Sequence, residues 1–322
     1  ASTSEDGEAR LWNVQGTGSA YKILRGKGSR SRTIAFSPNG KLLAASTWNS
    51  IWIWRLDSPE ALPMQLGDQT SKGDIAVTSL AFDAAGRFLV SASLDGKVRI
   101  WDLHDPAALS SILYEEDGRL QAVAFRGRML AWGSEDGHVH LMDMEDTDRH
   151  LLKLKGHQDP VSALSLSPDG RLLVSGSTRG AILVRDIENP AKELLSLIGH
   201  TAGITSVAFS PDSRLLASSS LDKSLRIWNI DNPDEESILI EHNAWVWSVD
   251  FSPDGKQVVS GGADKSVRLW TVPMEILASE VCARIERNLD LKEWQQFVGD
   301  DILYEKTCAN LMARDGDRAQ IE

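Results

Sequence analysis

The 322 residues are 42% hydrophobic and 25% charged, which excludes a disordered or fibrous chain and leaves enough apolar material for one large core. Lys plus Arg is 34 against 46 for Asp plus Glu, a formal charge of −12; a surface that tracks phosphates needs clustered positive charge, so nucleic acid is not an expected partner. Two cysteines, Cys282 and Cys308, and no apolar run near the roughly 18 residues of a membrane helix together predict a cytoplasmic protein without membrane contact. The chain opens on Ala1 with neither Met nor an apolar leader, and its start is expected to be a cut in a longer protein.

One position then recurs down the chain: Trp12, Trp54, Trp101, Met142, Arg185, Trp228 and Trp270, at intervals of 42, 47, 41, 43, 43 and 42 residues. A self-similar unit of this length, with three strands up to the recurring residue and a fourth after it, predicts a β-propeller blade. The fold expected is all-β, a seven-bladed β-propeller over residues 1–272 with a short α-helical tail at 273–322. In the first blade only the end of one strand and one full strand precede Trp12, so the innermost strand is expected to be missing and sequence upstream to complete the ring.

Blade two turns at Ser37-Pro38-Asn39-Gly40, a segment suited to a type I turn, but has Gly26-Lys27 and Trp48 where later blades have Gly-His and an aspartate. Blade four, at 121–144, shortens its corner to Arg126-Gly127-Arg128 and carries Met142; blade five carries Arg185. Blades two, four and five are therefore expected to have incomplete polar sets and to be the softer ones. Blade six is the cleanest copy, running from Gly199-His200 through Ser210-Pro211-Asp212-Ser213 and Asp222 to Trp228, and blade seven ends at Trp270 without a fourth strand. Beyond Pro273 the period changes: Leu277, Val281, Ile285 and Leu289 recur every four residues, as one face of a helix requires. A second helix over 291–298 would start at the N-cap Asp290, with Glu293 completing a capping box and Gly299 ending it, and would turn Trp294 and Phe297 toward the propeller.

The polar residues keep the same register. His157, His200 and His242 stand 28 residues before the recurring position, and Asp6, Asp95, Asp136, Asp222 and Asp264 stand six before it. Spacing that holds across copies predicts a shared contact, and the pattern resembles the WD-repeat family over residues 1–272. The resemblance implies a buried His, Asp, Ser or Thr, and Trp that tie each blade together. His157, His200, His242, Asp95, Asp222, Asp264, Trp101, Trp228 and Trp270 are thus structural rather than catalytic. The tail run Arg287-Asn288-Leu289, Glu293-Trp294, Tyr304 and Thr307-Cys308 looks like the segment after the last blade in bacterial multidomain WD-repeat proteins, which implies an upstream STAND-type NTPase or caspase-like protease.

No phosphate-cradling loop, nucleophile elbow or Cys–His pair is present, so no enzyme activity and no cofactor are expected. His138 and His140 share a strand face, but two ligands without a third predict no metal site. Binding has more support. The resemblance implies that partners dock where the inner strands begin, which selects Arg30, Arg32, Arg119, Gln121, Trp245 and Trp247, alongside Ala76, Thr78, Pro160, Ser162, Gly203 and Thr205. Arginine and tryptophan are the types that dominate binding hot spots; Trp247 either faces this rim or packs on the neighbouring blade, and Trp245 is the better candidate for exposure.

The function expected is a non-catalytic protein-interaction or sensing module of a larger bacterial signalling protein, with a protein or peptide partner and an upstream effector domain in the same chain. The alternative is a structural lid that holds that effector inactive. Truncating Trp228 to Ala should cost about 3–5 kcal/mol, as for other large core deletions, read from a denaturant melt; an unchanged melt would remove the basis for assigning it to the core.

Overall fold

The protein is described by a computed structural model covering residues 1–14, 21–26, 31–47, 50–58, 61–67, 76–105, 110–146, 148, 150–190 and 193–272. Residues 1–269 form one compact unit and 270–322 a second, of which only Trp270 to Val272 are described. The expected tail helices, Trp294, Cys282 and Cys308 lie outside the described residues, as does Arg30.

Seven antiparallel sheets follow one another at residues 2–25, 34–66, 77–115, 120–154, 161–197, 204–241 and 246–271. They are taken here as blades 1 to 7 of a seven-bladed all-β propeller. Among the described residues blades 2 to 6 have four strands each, while blades 1 and 7 have three. In blade 1 these are the second, third and fourth strands of the repeat, and in blade 7 the first, second and third, as the sequence anticipates. The first strands of blades 2 to 7 lie side by side in chain order.

The second strands explain how sheets pack so closely. Leu215–Ser220 reads Leu-Leu-Ala-Ser-Ser-Ser and is buried on both faces, and Leu172–Ser177 and Phe88–Ser93 are buried at all but their first residue. Small side chains here let the next sheet approach: a Cβ at Gly133 or Gly176 would collide with Val161 or Ile204 on the first strand of the following blade. Apolar residues fill the layers between blades. Phe209, Leu216 and Trp228 of blade 6 pack with Val174, Ile182 and Val184 of blade 5; five such layers run from blade 1 to blade 6.

Each described first strand from blade 3 to blade 7 breaks register once, between Val77 and Ser79, Leu120 and Ala122, Val161 and Ala163, Ile204 and Ser206, and Val246 and Ser248. One extra residue sits in each break, and such a bulge re-aims its side chain. In blades 3, 5 and 6 that side chain turns to the next blade. Thr78 Oγ1 donates to the Leu120 carbonyl at 2.8 Å, Ser162 Oγ to Ile204 at 2.6 Å, and Thr205 Oγ1 to Val246 at 2.6 Å. These hydroxyls stitch successive blades around the central channel. Thr205→Val keeps the shape but strips the donor, and should cost about 1–3 kcal/mol for the polar group left unpaired, whereas Thr205→Ser should cost much less; equal melts for the two variants would show that the stitch carries no stability.

Candidate interaction face

Blade 6 shows how the repeating polar residues meet. Trp228 Nε1 donates to Ser218 Oγ at 2.8 Å, and Ser218 Oγ lies 2.7 Å from His200 Nε2, whose Nδ1 is 2.8 Å from Asp222 Oδ2. The geometry fixes the proton positions. Having accepted from the indole, Ser218 donates to Nε2, so His200 carries its proton on Nδ1 and gives it to the carboxylate. Burial is the main force holding His200 below its ordinary pKa, although Asp222 works the other way.

The other blades vary this set. In blade 5 His157 Nε2 reaches Ser175 Oγ at 2.7 Å, but Arg179 occupies the aspartate's position and pairs with Asp159 at 3.0 Å. In blade 7 His242 Nε2 lies 3.1 Å from Ser260 Oγ, while Asp264 turns to Arg268, 2.6 Å away; Trp270 is only partly buried. In blade 3 Trp101 Nε1 donates to Ser91 Oγ at 3.0 Å and Asp95 pairs with Arg99 at 2.6 Å. Asp6 pairs with Arg10 in the same way at 2.7 Å. The arginine four residues after the aspartate was missed in the sequence, although Asp6 and Arg10, Asp95 and Arg99, and Asp264 and Arg268 repeat one spacing.

Other residues stand in the places of this set in blades 4 and 5, and in blade 4 Trp132 Nε1 and both His140 nitrogens are left without a hydrogen-bond partner. Arg185 is 3% exposed, and its guanidinium donates to the Lys155 and Pro190 carbonyls at 2.6 and 3.0 Å. In blade 4 Trp132 takes the place of Ser218 and is fully buried, stacked on His140 with ring centroids 5.3 Å apart and capped by Tyr114 at 5.0 Å. His138 and His140 do not converge. His138 Nδ1 lies 2.9 Å from Asp136, and His140 Nε2 points to Glu116, 3.7 Å away. Among the described residues the group whose ligand atoms lie close enough for a metal is Asp146, Asp148 and His150, in an exposed turn.

The face carrying the expected binding residues is formed by the loops that precede the inner strands and the turns between second and third strands. Backbone bonds join the two: Leu94 N to Ala76 O, Thr178 N to Pro160 O, Leu221 N to Gly203 O and Ala263 N to Trp245 O. The predicted residues separate into two groups. Arg119 and Trp245 precede their strands and are exposed, with the Arg119 backbone N–H donating to Glu135 Oε2 at 3.1 Å. Gln121 and Trp247 occupy the bulge positions, where Thr78, Ser162 and Thr205 stitch blade to blade; Arg32, also exposed, aligns with them. No residue type in these strands announces the bulge. Trp247 has no hydroxyl with which to make such a stitch. It is 50% exposed beside Trp245, 49% exposed, in an edge-to-face pair with centroids 5.7 Å apart.

A seven-bladed propeller with repeated His–Ser and Trp–Ser contacts and aspartate-capped turns defines a class of repeat scaffold. The chain belongs to the family described as "WD domain, G-beta repeat": residues 18–55, 68–102, 148–186, 191–229 and 234–271 match its model, together more than half of the chain. The first three strands of blade 4 fall between matched segments. The chain is 24% identical over 171 residues to target of rapamycin complex subunit LST8 of Mus musculus, covering 52% of this chain and 51% of that protein. It is 35% identical over 116 residues to small ribosomal subunit protein RACK1 of Medicago sativa, covering 32% and 35%, and 24% identical over 164 residues to autophagy-related protein 16 of Arabidopsis thaliana, covering 51% and 31%. It thus spans about half or less of these relatives. A chain in the crystal structure of a mitotic checkpoint complex has the same fold, with a TM-score of 0.64 at 22% identity over 75% of each chain.

The buried histidines set a pH dependence. Burial, then the nearby Arg185 charge, push His157 down from 6.5 to about 4, and burial also lowers His140, His200 and His242. Between these values the unfolded chain binds protons that the folded one refuses, so stability is whole above pH 6.5 and falls as pH drops toward 4. Melting temperature should decline across that window, and His157→Gln should flatten the decline; an identical slope in the variant would rule out His157 as a contributor.

Proposed function

We propose that this chain is a non-catalytic protein-interaction or sensing module that binds a protein or peptide on the face bearing Trp245. The observation that carries the reading is the Trp245–Trp247 pair, two large aromatic side chains each half exposed and in contact. Exposed apolar patches of this kind mark contact surfaces, and tryptophan is prominent at binding hot spots. Arg32 and Arg119 add cationic hydrogen-bond donors on an otherwise acidic molecule. The family's relatives include a subunit of a target of rapamycin complex and a ribosomal subunit protein, which supports assembly with other proteins.

The setting we propose is the cytoplasm, inside a larger bacterial signalling protein with an effector domain upstream. That part rests on the cysteine content and on the tail motifs alone; the relatives named above are from a mouse and two plants.

Affinity capture with the purified chain tests the reading. Trp245→Ala and Arg32→Ala should each lose the same partners while keeping the parent melting temperature. Retention of every partner by both folded variants would instead favour a lid that acts only on its own chain.

A further inference from the structure

The inner loop of blade 4 departs from those of blades 5, 6 and 7 in one respect: it sets an acid where they set a histidine. Glu116 stands four residues before the first strand of its blade, as His157, His200 and His242 do. Its backbone confirms the equivalence, since Gly96 packs under the Glu116 and Gly118 carbonyls as Gly180 packs under those of His200 and Ala202. In blade 6 the imidazole at this place meets the turn aspartate. In blade 4 the carboxylate of Glu116 shares a cavity of about 240 Å³ with the turn aspartate Asp136, and Asp117, Gly118, Ser134 and Glu135 complete the lining.

Glu116, Asp117, Glu135 and Asp136 all line this cavity, and the arginine that serves the turn aspartate in blades 1, 3 and 7 is replaced here by Lys153 and His138 on Asp136, which leaves Glu116 without a cation. The position that holds Arg10, Arg99 and Arg268 in blades 1, 3 and 7 is His140 here. Its side chain is 1% exposed and neither ring nitrogen has a hydrogen-bond partner, while Nε2 is aimed at Glu116 Oε2, 3.7 Å away. Burial keeps His140 below its ordinary pKa, so it stays neutral and does not replace the arginine. Glu116 Oε1 is likewise buried without a partner. Tyr114 donates to Glu116 Oε2 at 3.2 Å, and burial beside that carboxylate pushes the phenol up to about 12, keeping it a donor. Lys153, 2.9 Å from Asp136 Oδ2, is the cation at the outer edge. The oxygens are spread over a volume suited to a side chain, and among the described residues they do not draw together within the 4.8 Å that a preformed metal shell needs.

We propose that this cavity seats a basic side chain, arginine or lysine, presented by a protein partner, with Glu116, whose Oε1 has no partner, as the principal acceptor. The choice of a protein side chain as the cation rests on the interaction reading above. A guanidinium or ammonium supplies several N–H donors to the Glu116 carboxylate, whose side chain is only 15% exposed, and it supplies the positive charge that arginine supplies in blades 1, 3 and 7.

The probes are glycine-rich pentapeptides with one central arginine, lysine or uncharged citrulline, followed by amide chemical shifts of Gly118, Ser134 and Gly137 in the 322-residue chain. The arginine and lysine peptides should shift these amides saturably and citrulline should not. Glu116→Gln should weaken binding at least about tenfold. Glu116→His, which rebuilds the histidine–aspartate pair of blade 6, should abolish it with a melt equal to or above the parent's. Shifts that citrulline reproduces, or that survive Glu116→Gln, would overturn the proposal. So would shifts produced by calcium ions and by neither basic peptide. Because peptide binding is read directly, a failure here leaves partner capture through Trp245 untouched, and a failure of capture leaves the peptide result standing.

Discussion

A negative charge lodged in a tight turn organises the blades. Asp6, Asp95, Asp136, Asp222 and Asp264 each accept the backbone N–H two residues on, at 2.9 to 3.2 Å, closing the turn between second and third strands. The residue in between adopts the left-handed conformation. It is glycine in blades 1, 3 and 4 but Lys223 and Lys265, at φ of 70° and 63°, in blades 6 and 7, where a side chain pays strain that the turn must hold in place. A partly buried carboxylate needs a counter-group, and the blades differ mainly in what they provide. Histidine serves Asp222, whose side chain is only 9% exposed, and arginine serves Asp6, Asp95 and Asp264. His200 leaves Arg226 free of that duty, and it bonds Ser237 and lies over the Trp228 ring instead.

Blade 4 separates two jobs that blade 6 does together. In blade 6 one hydrogen-bonded line from Trp228 to Asp222 both packs the interior and neutralises the turn. In blade 4 the packing falls to the aromatic trio Tyr114, Trp132 and His140, and the turn is left to Ser134, Lys153 and His138. Burial works to raise the Asp136 pKa, yet the hydrogen bonds from these residues outweigh it and hold the carboxyl well below the usual range. An interior closed by aromatic rings has no need of the loop residue above it, which frees that position to become glutamate.

How much of this was legible follows from which contacts are local in the repeat. The recurring Trp, the Ser-Pro-Asp corners and the His and Asp registers each reflect an interaction remade in successive blades, so periodicity exposed the fold and the place of every blade. The counter-ion at Arg10, Arg99 and Arg268 was equally periodic, but it lies on a strand face where arginine reads as ordinary surface. Gln121 and Trp247 could not be placed, because a bulge shifts the side-chain alternation by one and no residue type announces it. Glu116 was hidden for a different reason. The shortened corner Arg126-Gly127-Arg128 moves blade 4 by two residues against its recurring Met142, so counting back from Met142 leads to Tyr114 instead.

The stitches across the channel all point one way. Thr78, Ser162 and Thr205 each give a proton to the blade that follows, and the receiving group is always a main-chain carbonyl. A giver must therefore have a hydroxyl, while a receiver can have any sequence at all. Such an arrangement makes a blade portable at its leading edge and particular at its trailing edge: a duplicated or transplanted repeat is held by any hydroxyl that precedes it, and must bring a hydroxyl of its own to hold whatever follows.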